Sequence, residues 1–231
     1  MAHMIETMAY AGETPWHGLG KKVLPDLTPA QMLKEAGLDW TVEKVPSFIT
    51  RKGKKIATNQ QALVRSSDDA ILTMVSDDWK PVQNSEAFEF FHDFVMEGDM
   101  EMHTAGSIKD GKNVWALAKV KESFEILGGD RVDSYLLFSN PHEYGKSIDI
   151  RFTPIRVVCN NTLTLALGSS SDLMVRLNHR RSFDGDMVKR TLGIASKKMD
   201  SYKETAEFLA SKRYNEESLH EYLSTIFPAM S

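Results

Sequence analysis

Apolar and polar residues alternate between residues 40 and 75, and this period of two predicts a three-stranded antiparallel meander. Gly53 allows the first tight turn, and Asp68 with Asp69 marks the second. In the next segment the apolar residues recur every three or four positions, as on one face of a helix. The pattern therefore predicts a helix over residues 85–97 directly after the meander.

The middle of the chain predicts further strands and one helix. A hairpin is expected over residues 102–120, and the apolar residues 135–138 are typical of a buried strand. A basic strand over residues 147–158 then leads into a helix that begins with Asn160 or Asn161 as its N-cap. We expect four apolar side chains of this helix to face inward: Leu163, Leu165, Ala166 and Leu167.

The two ends of the chain have weaker patterns. Residues 5–27 predict an irregular leader, followed by a short helix with Thr28 as N-cap and Pro29 in its first turn. Residues 186–231 predict C-terminal helices that pack on the core or on a neighbouring subunit. We therefore predict an α+β protein with a core domain at residues 4–185, built on a central twisted antiparallel sheet with a β-β-β-α core packed by helices.

The composition is typical of a soluble globular protein. The chain has 231 residues, of which 42% are apolar, and this is enough to build a core. No apolar run approaches the roughly 20 residues of a membrane span, and the N-terminus lacks the apolar core of a secretory signal, so we expect a cytoplasmic protein. Residues 1–3 resemble a cloning remnant ahead of a start at Met4. Cys159 is the single cysteine, which excludes an internal disulfide, and we expect it to be buried and inert.

The net charge of −4 conceals an uneven distribution along the chain. Residues 1–145 have 15 basic and 22 acidic side chains, residues 146–203 have 11 and 5, and residues 204–231 have 2 and 5. A basic middle between acidic flanks indicates either a localised anion-binding surface or a solvated basic face.

Two groups of basic residues are candidates for binding an anion, because arginine and lysine form charge-assisted hydrogen bonds with phosphate. The group in the basic middle consists of Lys146, Arg151, Arg156, Arg176, His179, Arg180 and Arg181. The group at the tip of the first predicted hairpin consists of Arg51, Lys52, Lys54 and Lys55. The second group either contacts phosphate or keeps a strand edge soluble.

No sequence pattern indicates a catalytic site. The segment Gly20-Lys21-Lys22 lacks the spacing and the hydroxyl of a nucleotide-binding P-loop, and the histidines are too scattered for a zinc hydrolase. The aspartate pairs at residues 68–69 and 77–78 are expected to be turn residues, although a role in metal-dependent cleavage stays open. His17 is expected to hydrogen-bond within a turn. We predict no catalytic residue, no metal and no cofactor.

Three stretches of the chain stand out: Pro15-Trp16-His17-Gly18-Leu19-Gly20, Arg156-Val157-Val158-Cys159-Asn160-Asn161-Thr162-Leu163, and Arg176-Leu177-Asn178-His179-Arg180-Arg181. Together they resemble a phage- and plasmid-like family built on a domain of unknown function, number 932. The third stretch departs from the family pattern, because two arginines follow the histidine. The family is distantly similar to phage single-strand annealing proteins of the RecT and Redβ kind. That resemblance implies a β-β-β-α core, rings or filaments, and strand pairing without ATP, and it is a fold-level analogy.

The expected function is sequence-independent binding of single-stranded DNA and ATP-independent strand annealing in phage or mobile-element recombination, performed by a homo-oligomer that is not an enzyme. Arg151 and Arg156, held by the central strand, are expected to grip the DNA backbone and leave the bases free to pair. Two alternatives stay open. One is a phage accessory or anti-defence protein that sequesters a host protein or a small anionic nucleotide, and the other is a divergent metal-dependent nuclease.

Overall fold

The computed structural model describes residues 3–121, 124–126, 130–168 and 174–192 of the chain. The strands are β1 (Ile5–Tyr10), β2 (Lys21–Lys22), β3 (Val42–Arg51), β4 (Lys54–Arg65), β5 (Ile71–Val75), β6 (Met100–Ile108), β7 (Asn113–Val120), β8 (Phe124–Ile126), β9 (Asp130–Val132), β10 (Tyr135–Pro141), β11 (Ile148–Thr153) and β12 (Met174–Leu177). The helices are α1 (Pro29–Glu35), α2 (Asn84–Glu89), α3 (His92–Met96) and α4 (Asn160–Gly168), and residues 185–192 belong to a further helix, α5.

Seven strands form the central sheet, in the order β12-β11-β10-β7-β6-β1-β2. All neighbours in this sheet run antiparallel except β1 and β2, which pair in parallel. The predictions of an α+β fold and of a central antiparallel sheet are confirmed. The hairpin expected over residues 102–120 is present as β6 and β7, and the strand expected at residues 135–138 is present as β10.

Both faces of the central sheet are covered, because successive side chains of each strand point to opposite sides. Phe138 of β10 belongs to the larger hydrophobic core, which also includes Phe88 of α2 and Val188 of α5. Its neighbour Leu137 belongs to the second core, which includes Leu163 of α4. The strand is therefore buried on both sides, which explains its continuous apolar sequence.

The predicted meander is present as β3, β4 and β5, and α2 follows it, so the β-β-β-α order is found. These three strands form a sheet of their own, and the central sheet is built from other strands. β5 pairs only with residues 61–64 of β4. Residues 46–60 therefore form a two-stranded hairpin beyond the third strand, and we call this hairpin the arm. Every arm residue is exposed except Ser47 and Thr58, which are half-buried.

The prediction of an irregular leader over residues 5–27 is wrong at its start. Residues 5–10 form β1, which pairs with β6 inside the central sheet. Met8, Ala9 and Tyr10 are consecutive and all buried. Burial on both faces removes the alternation of apolar and polar residues by which a strand is recognised.

Two helices differ in detail from the prediction. The helix expected over residues 85–97 is interrupted at Phe90 and Phe91, and the ring of each packs near that of Phe138, with centroid distances of 5.5 and 6.4 Å. In α4 the residue before the helix is Cys159, and its carbonyl accepts a hydrogen bond from the Leu163 amide at 2.9 Å, so the predicted asparagine N-cap is wrong.

The segment around α4 also corrects two finer expectations. Leu165 is exposed, whereas Leu163 and Ala166 are buried and Leu167 is half-buried against the second core, so the expectation of an inward side chain is wrong only for Leu165. The basic strand predicted over residues 147–158 ends at Thr153, immediately before Pro154, because proline has no amide proton for the ladder. In α5, Val188 and Leu192 are buried in the larger core. The expectations for residues 193–231 lie outside the described residues.

Candidate nucleic-acid interface

Arg151 lies in the middle of β11, and its side chain is completely buried. Its guanidinium donates two hydrogen bonds to the Asp149 carboxylate, at 2.5 and 2.6 Å, and one to the carbonyl oxygen of Ala166 in α4, at 2.8 Å. These contacts neutralise the charge inside the protein. The expectation that Arg151 grips a ligand is therefore not met, because protein groups enclose its guanidinium.

Arg176 and Lys146 stay accessible to solvent on the side of the sheet covered by α4. Arg176 of β12 lies opposite Asp149, donates from Nε to the carboxylate at 2.9 Å, and keeps 55% of its side chain exposed. Lys146 is exposed in the loop between β10 and β11. Both residues line one cavity of about 470 Å³.

Arg156 binds the N-terminal leader instead of an open groove. Its Nη2 donates to the carbonyl oxygens of Ala11, at 3.1 Å, and Glu13, at 2.6 Å. In the same region His17 accepts from the Leu19 amide through Nδ1 and donates from Nε2 to the Val158 carbonyl, so the ring is assigned as the neutral Nε2–H tautomer. The hydrogen bond to Leu19 agrees with the expected turn role of His17.

Two of the stretches that resemble the family are thus in contact. Residues 15–20 contact residues 156–163 through the hydrogen bond between His17 and Val158. Their separation in sequence hides this contact, and no local pattern predicts it.

His179 is also buried, and it connects β12 to the loop between β5 and α2. Its ring stacks on Trp79 with a centroid distance of 4.0 Å, and its Nδ1 lies 3.1 Å from the Lys80 carbonyl oxygen. Burial lowers the pKa of His179. The expectation that His179 contacts a ligand is not met.

Arg180 and Arg181 are exposed, and Arg180 lies 3.3 Å from Asp78.

The basic middle of the chain therefore does not form the single groove that we predicted. Arg151 and His179 are enclosed, Arg156 binds the leader, and Arg176 with Lys146 lines a separate cavity. Only Arg151 and Arg176 lie in strands, and Arg156 lies beyond the end of β11, so the expectation that the central strand holds both Arg151 and Arg156 is wrong for Arg156.

The arm contains the second group of basic residues that the sequence predicts to bind an anion, and it exposes them to solvent. Arg51, Lys52, Lys54 and Lys55 are all exposed. Among the described residues, none of these four side chains forms an ion pair. Residues 44–67 contain no aspartate or glutamate, so no neighbour in sequence offsets the charge. Lys52 and Gly53 form the tip of the hairpin, with φ angles of 50° and 73°.

The strand register assigns the arm side chains to two faces, because residues directly opposite each other share a face. On one face Phe48 lies opposite Ala57, and the next pair on that face is Thr50 with Lys55. Phe48 is 56% exposed. On this face the exposed ring of Phe48 therefore lies in the pair next to the one that contains Lys55.

The other face of the arm has the same arrangement with aliphatic side chains. Ile49 lies opposite Ile56, with 54% and 45% exposure, and the next pair is Arg51 with Lys54. The cations of the arm were predicted from the sequence, whereas the exposure of Phe48, Ile49 and Ile56 was not. A two-residue turn at Lys52 and Gly53, combined with the period of two along each strand, places Phe48 and Lys55 on one face.

Among the described residues, His103 and Tyr135 form a stacked pair of titratable rings with shifted pKa values. His103 lies where the register between β6 and β7 shifts, and it stacks on Tyr135 with a centroid distance of 5.3 Å. Burial lowers the pKa of His103 to about 4 and raises the pKa of Tyr135 to about 12. Both side chains are therefore neutral at pH 7.

Cys159 is buried, as expected. Within the described ranges no group of three or more His, Cys, Asp or Glu residues could hold a metal ion.

The architecture defines an α+β protein with a seven-stranded central sheet and a separate three-stranded sheet. The model of a family described as a domain of unknown function, DUF932, matches residues 71–231, and the chain belongs to this family. The match begins at β5, after the arm, and includes β6, β7, β10, β11 and β12 of the central sheet. No curated protein and no solved structure matches the chain. Of the helices that the structure describes, none is long and apolar enough to cross a membrane.

Proposed function

We propose that the protein binds single-stranded DNA without sequence preference through the arm, and that this binding supports annealing of complementary strands without ATP. The observation that supports the proposal is the arm itself, an exposed hairpin with four cations and no acidic residue. A polyanion such as DNA gains most from such a surface, because each neutralised phosphate releases condensed counterions.

The two kinds of side chain on the arm have separate roles in this proposal. Arg51, Lys52, Lys54 and Lys55 contact the phosphates, which are the same in every sequence. Phe48 offers a face on which an unpaired base stacks, and such stacking tolerates any base. Because Phe48 and Lys55 share one face, a nucleotide bound there places its base and its phosphate against different side chains.

The exposed aromatic ring favours single-stranded DNA over duplex DNA. A two-stranded β-ribbon also fits the major groove of a duplex, where its cations would contact both backbones. Stacking on Phe48, however, requires a base that is not already stacked and paired. A preference for duplex DNA in a binding experiment would therefore contradict the proposal.

The binding experiment uses fluorescence anisotropy with a labelled oligothymidine, an unrelated single strand of equal length, and a duplex. We expect similar affinity for the two single strands and weaker binding of the duplex. The variant Lys54→Gln/Lys55→Gln should bind single strand about tenfold more weakly or worse, because each lost phosphate contact costs about 1 kcal/mol.

The matched control is Lys34→Gln/Lys121→Gln, which removes two exposed lysines outside the arm. It should retain the affinity of the unmodified protein. Equal losses in the control and the arm variant would show that only net charge matters, and they would remove the arm from the proposal.

The annealing step has its own test. Two complementary labelled strands are mixed without nucleotide, and their pairing is followed by energy transfer between the labels. The protein should accelerate pairing, and Lys54→Gln/Lys55→Gln should abolish most of the acceleration. Tight binding of single strands without any acceleration would restrict the function to strand protection.

A further inference from the structure

A polar cavity of about 470 Å³ lies between β11, β12, α4 and the loop that joins β10 to β11. This volume is in the range of about 300–1,000 Å³ that is typical of small-molecule sites. Among the described residues that line it, Lys109, Lys146 and Arg176 are basic, and Glu143 and Asp149 are acidic. No residue of the arm lines it, so the cavity is distinct from the proposed DNA surface.

The acidic charge in this cavity is already neutralised at Asp149. Its carboxylate is buried and accepts two hydrogen bonds from Arg151 and one from Arg176. Counted with the enclosed Arg151, the described residues of the cavity region include four cations and two carboxylates. The cavity therefore favours an anionic ligand.

Asp149 also fixes the orientation of Arg176. Arg176 uses its Nε to bind Asp149, and no hydrogen bond from its two Nη groups is found among the described residues. Arg151 donates two hydrogen bonds to Asp149 and one to the Ala166 carbonyl oxygen of α4, which fixes the position of the carboxylate. A guanidinium fixed by a buried carboxylate and left with two open amino groups suits the bidentate grip of a phosphate, at little cost in side-chain entropy.

Neutral polar groups complete the lining. Ser139 is buried and donates a hydrogen bond to the Asn113 Oδ1 at 3.1 Å, which leaves the Asn113 amide nitrogen to serve as a donor. Asn160 and Thr164 of α4 line the same space, and none of the described residues that line it has an aromatic ring. These groups suit the hydroxyls of a sugar better than the flat face of a base.

We propose that this cavity binds a small phosphate monoester of a polyhydroxylated compound, with the phosphate on Arg176 and Lys146 and the hydroxyls on the neutral polar lining. Arg151 and Asp149 are positioning residues, since they act on the ligand through Arg176.

Isothermal titration with ribose 5-phosphate tests this proposal, with ribose and inorganic phosphate as partial probes. The full chain should bind one equivalent of ribose 5-phosphate, bind inorganic phosphate more weakly, and show no heat with ribose. Arg176→Gln and Lys146→Gln should each weaken ribose 5-phosphate binding at least tenfold. Because Lys146 is exposed and in a loop, its substitution tests the site without disturbing the buried Asp149.

Two variants outside the cavity are the controls. Arg180→Gln removes an exposed arginine that does not line the cavity, and Lys54→Gln/Lys55→Gln removes the arm lysines; both should bind ribose 5-phosphate as the unmodified chain does. The second control separates this site from the proposed DNA surface, so either can fail alone. No saturable binding by the unmodified chain, or equal binding by Arg176→Gln, Lys146→Gln and the controls, would overturn the proposal.

Discussion

Arg151 shows how a residue that looks suited to ligand binding can instead stabilise the fold. The sequence predicts its strand but not its partner, since charge alone does not distinguish a guanidinium open to solvent from one paired inside. A signal was present: Asp149 lies two residues earlier, and the period of two places both side chains on the same face of β11. The pair is therefore buried, and Asp149 orients Arg176 through a hydrogen bond.

Arg151→Ala should reduce the free energy of unfolding by about 3–5 kcal/mol, because it leaves the buried Asp149 carboxylate without its main partner. The matched variant Arg176→Gln removes a half-exposed partner of the same carboxylate and should cost about 1 kcal/mol or less. Urea unfolding of both variants at pH 7 measures the difference. Equal losses would mean that Asp149 does not depend on Arg151.

The buried His103 predicts a pH dependence of stability. Its folded-state pKa of about 4 lies below the usual value of 6.5, so the unfolded chain binds more protons between these two pH values. The burial of neutral His103 therefore costs no stability above pH 6.5. The free energy of unfolding decreases as the pH falls from 6.5 towards 4, because the unfolded chain takes up a proton that the folded chain does not. The slope from this group reaches about 1.4 kcal/mol per pH unit.

His103→Phe should flatten this slope, since phenylalanine keeps a ring against Tyr135 and cannot be protonated. Urea unfolding at several pH values between about 4 and about 7 provides the measurement. His92→Gln, which replaces an exposed histidine, should leave the slope as it is. An unaltered slope in His103→Phe would show that His103 is not protonated on unfolding. His142 remains in both variants, and burial lowers its pKa to about 3, so part of the pH dependence persists.

At the scale of elements, the sequence predicts best those helices and strands whose ends are marked by capping or turn residues. α1 follows the prediction closely: Thr28 and Gln31 form a capping box, Pro29 opens the helix, and Gly37 has a φ of 66° just beyond its end. The meander follows its alternation and its turns. β1 was missed because it is buried on both faces, and the separation of the meander from the central sheet was missed because strand pairing depends on contacts distant in sequence.

Gly106 fixes the contact between β1, β6 and β7. A Cβ atom at this position would overlap the Thr7 carbonyl oxygen and the ring of Trp115. Gly106→Ala should therefore destabilise the protein by about 1–3 kcal/mol, the usual cost of overpacking. Gly168→Ala is the matched control, since nothing lies within 4 Å of a Cβ there. Similar thermal unfolding midpoints for both variants would contradict this packing of β1.

At the scale of the whole molecule, the distribution of charge along the sequence did not predict the distribution of charge in space. Residues 146–203 have an excess of basic side chains, yet the structure encloses some of them and directs others to a cavity or to the leader. The arm lies in a segment that is acidic overall and was the weaker candidate by charge count. The sequence predicts these cations at a hairpin tip, and the strand pairing adds that this hairpin extends beyond β5, with its cations exposed on both strands.

The salt dependence of single-strand binding tests the central claim, that the arm cations bind DNA phosphates, most directly. The affinity for oligothymidine is measured at several salt concentrations for the unmodified protein, for Lys54→Gln/Lys55→Gln and for Lys34→Gln/Lys121→Gln. Each phosphate contact contributes about 0.7 to the slope of log affinity against log salt, so the arm variant should lose about 1.4 of that slope and the control none. An arm variant that keeps the full slope would contradict the account.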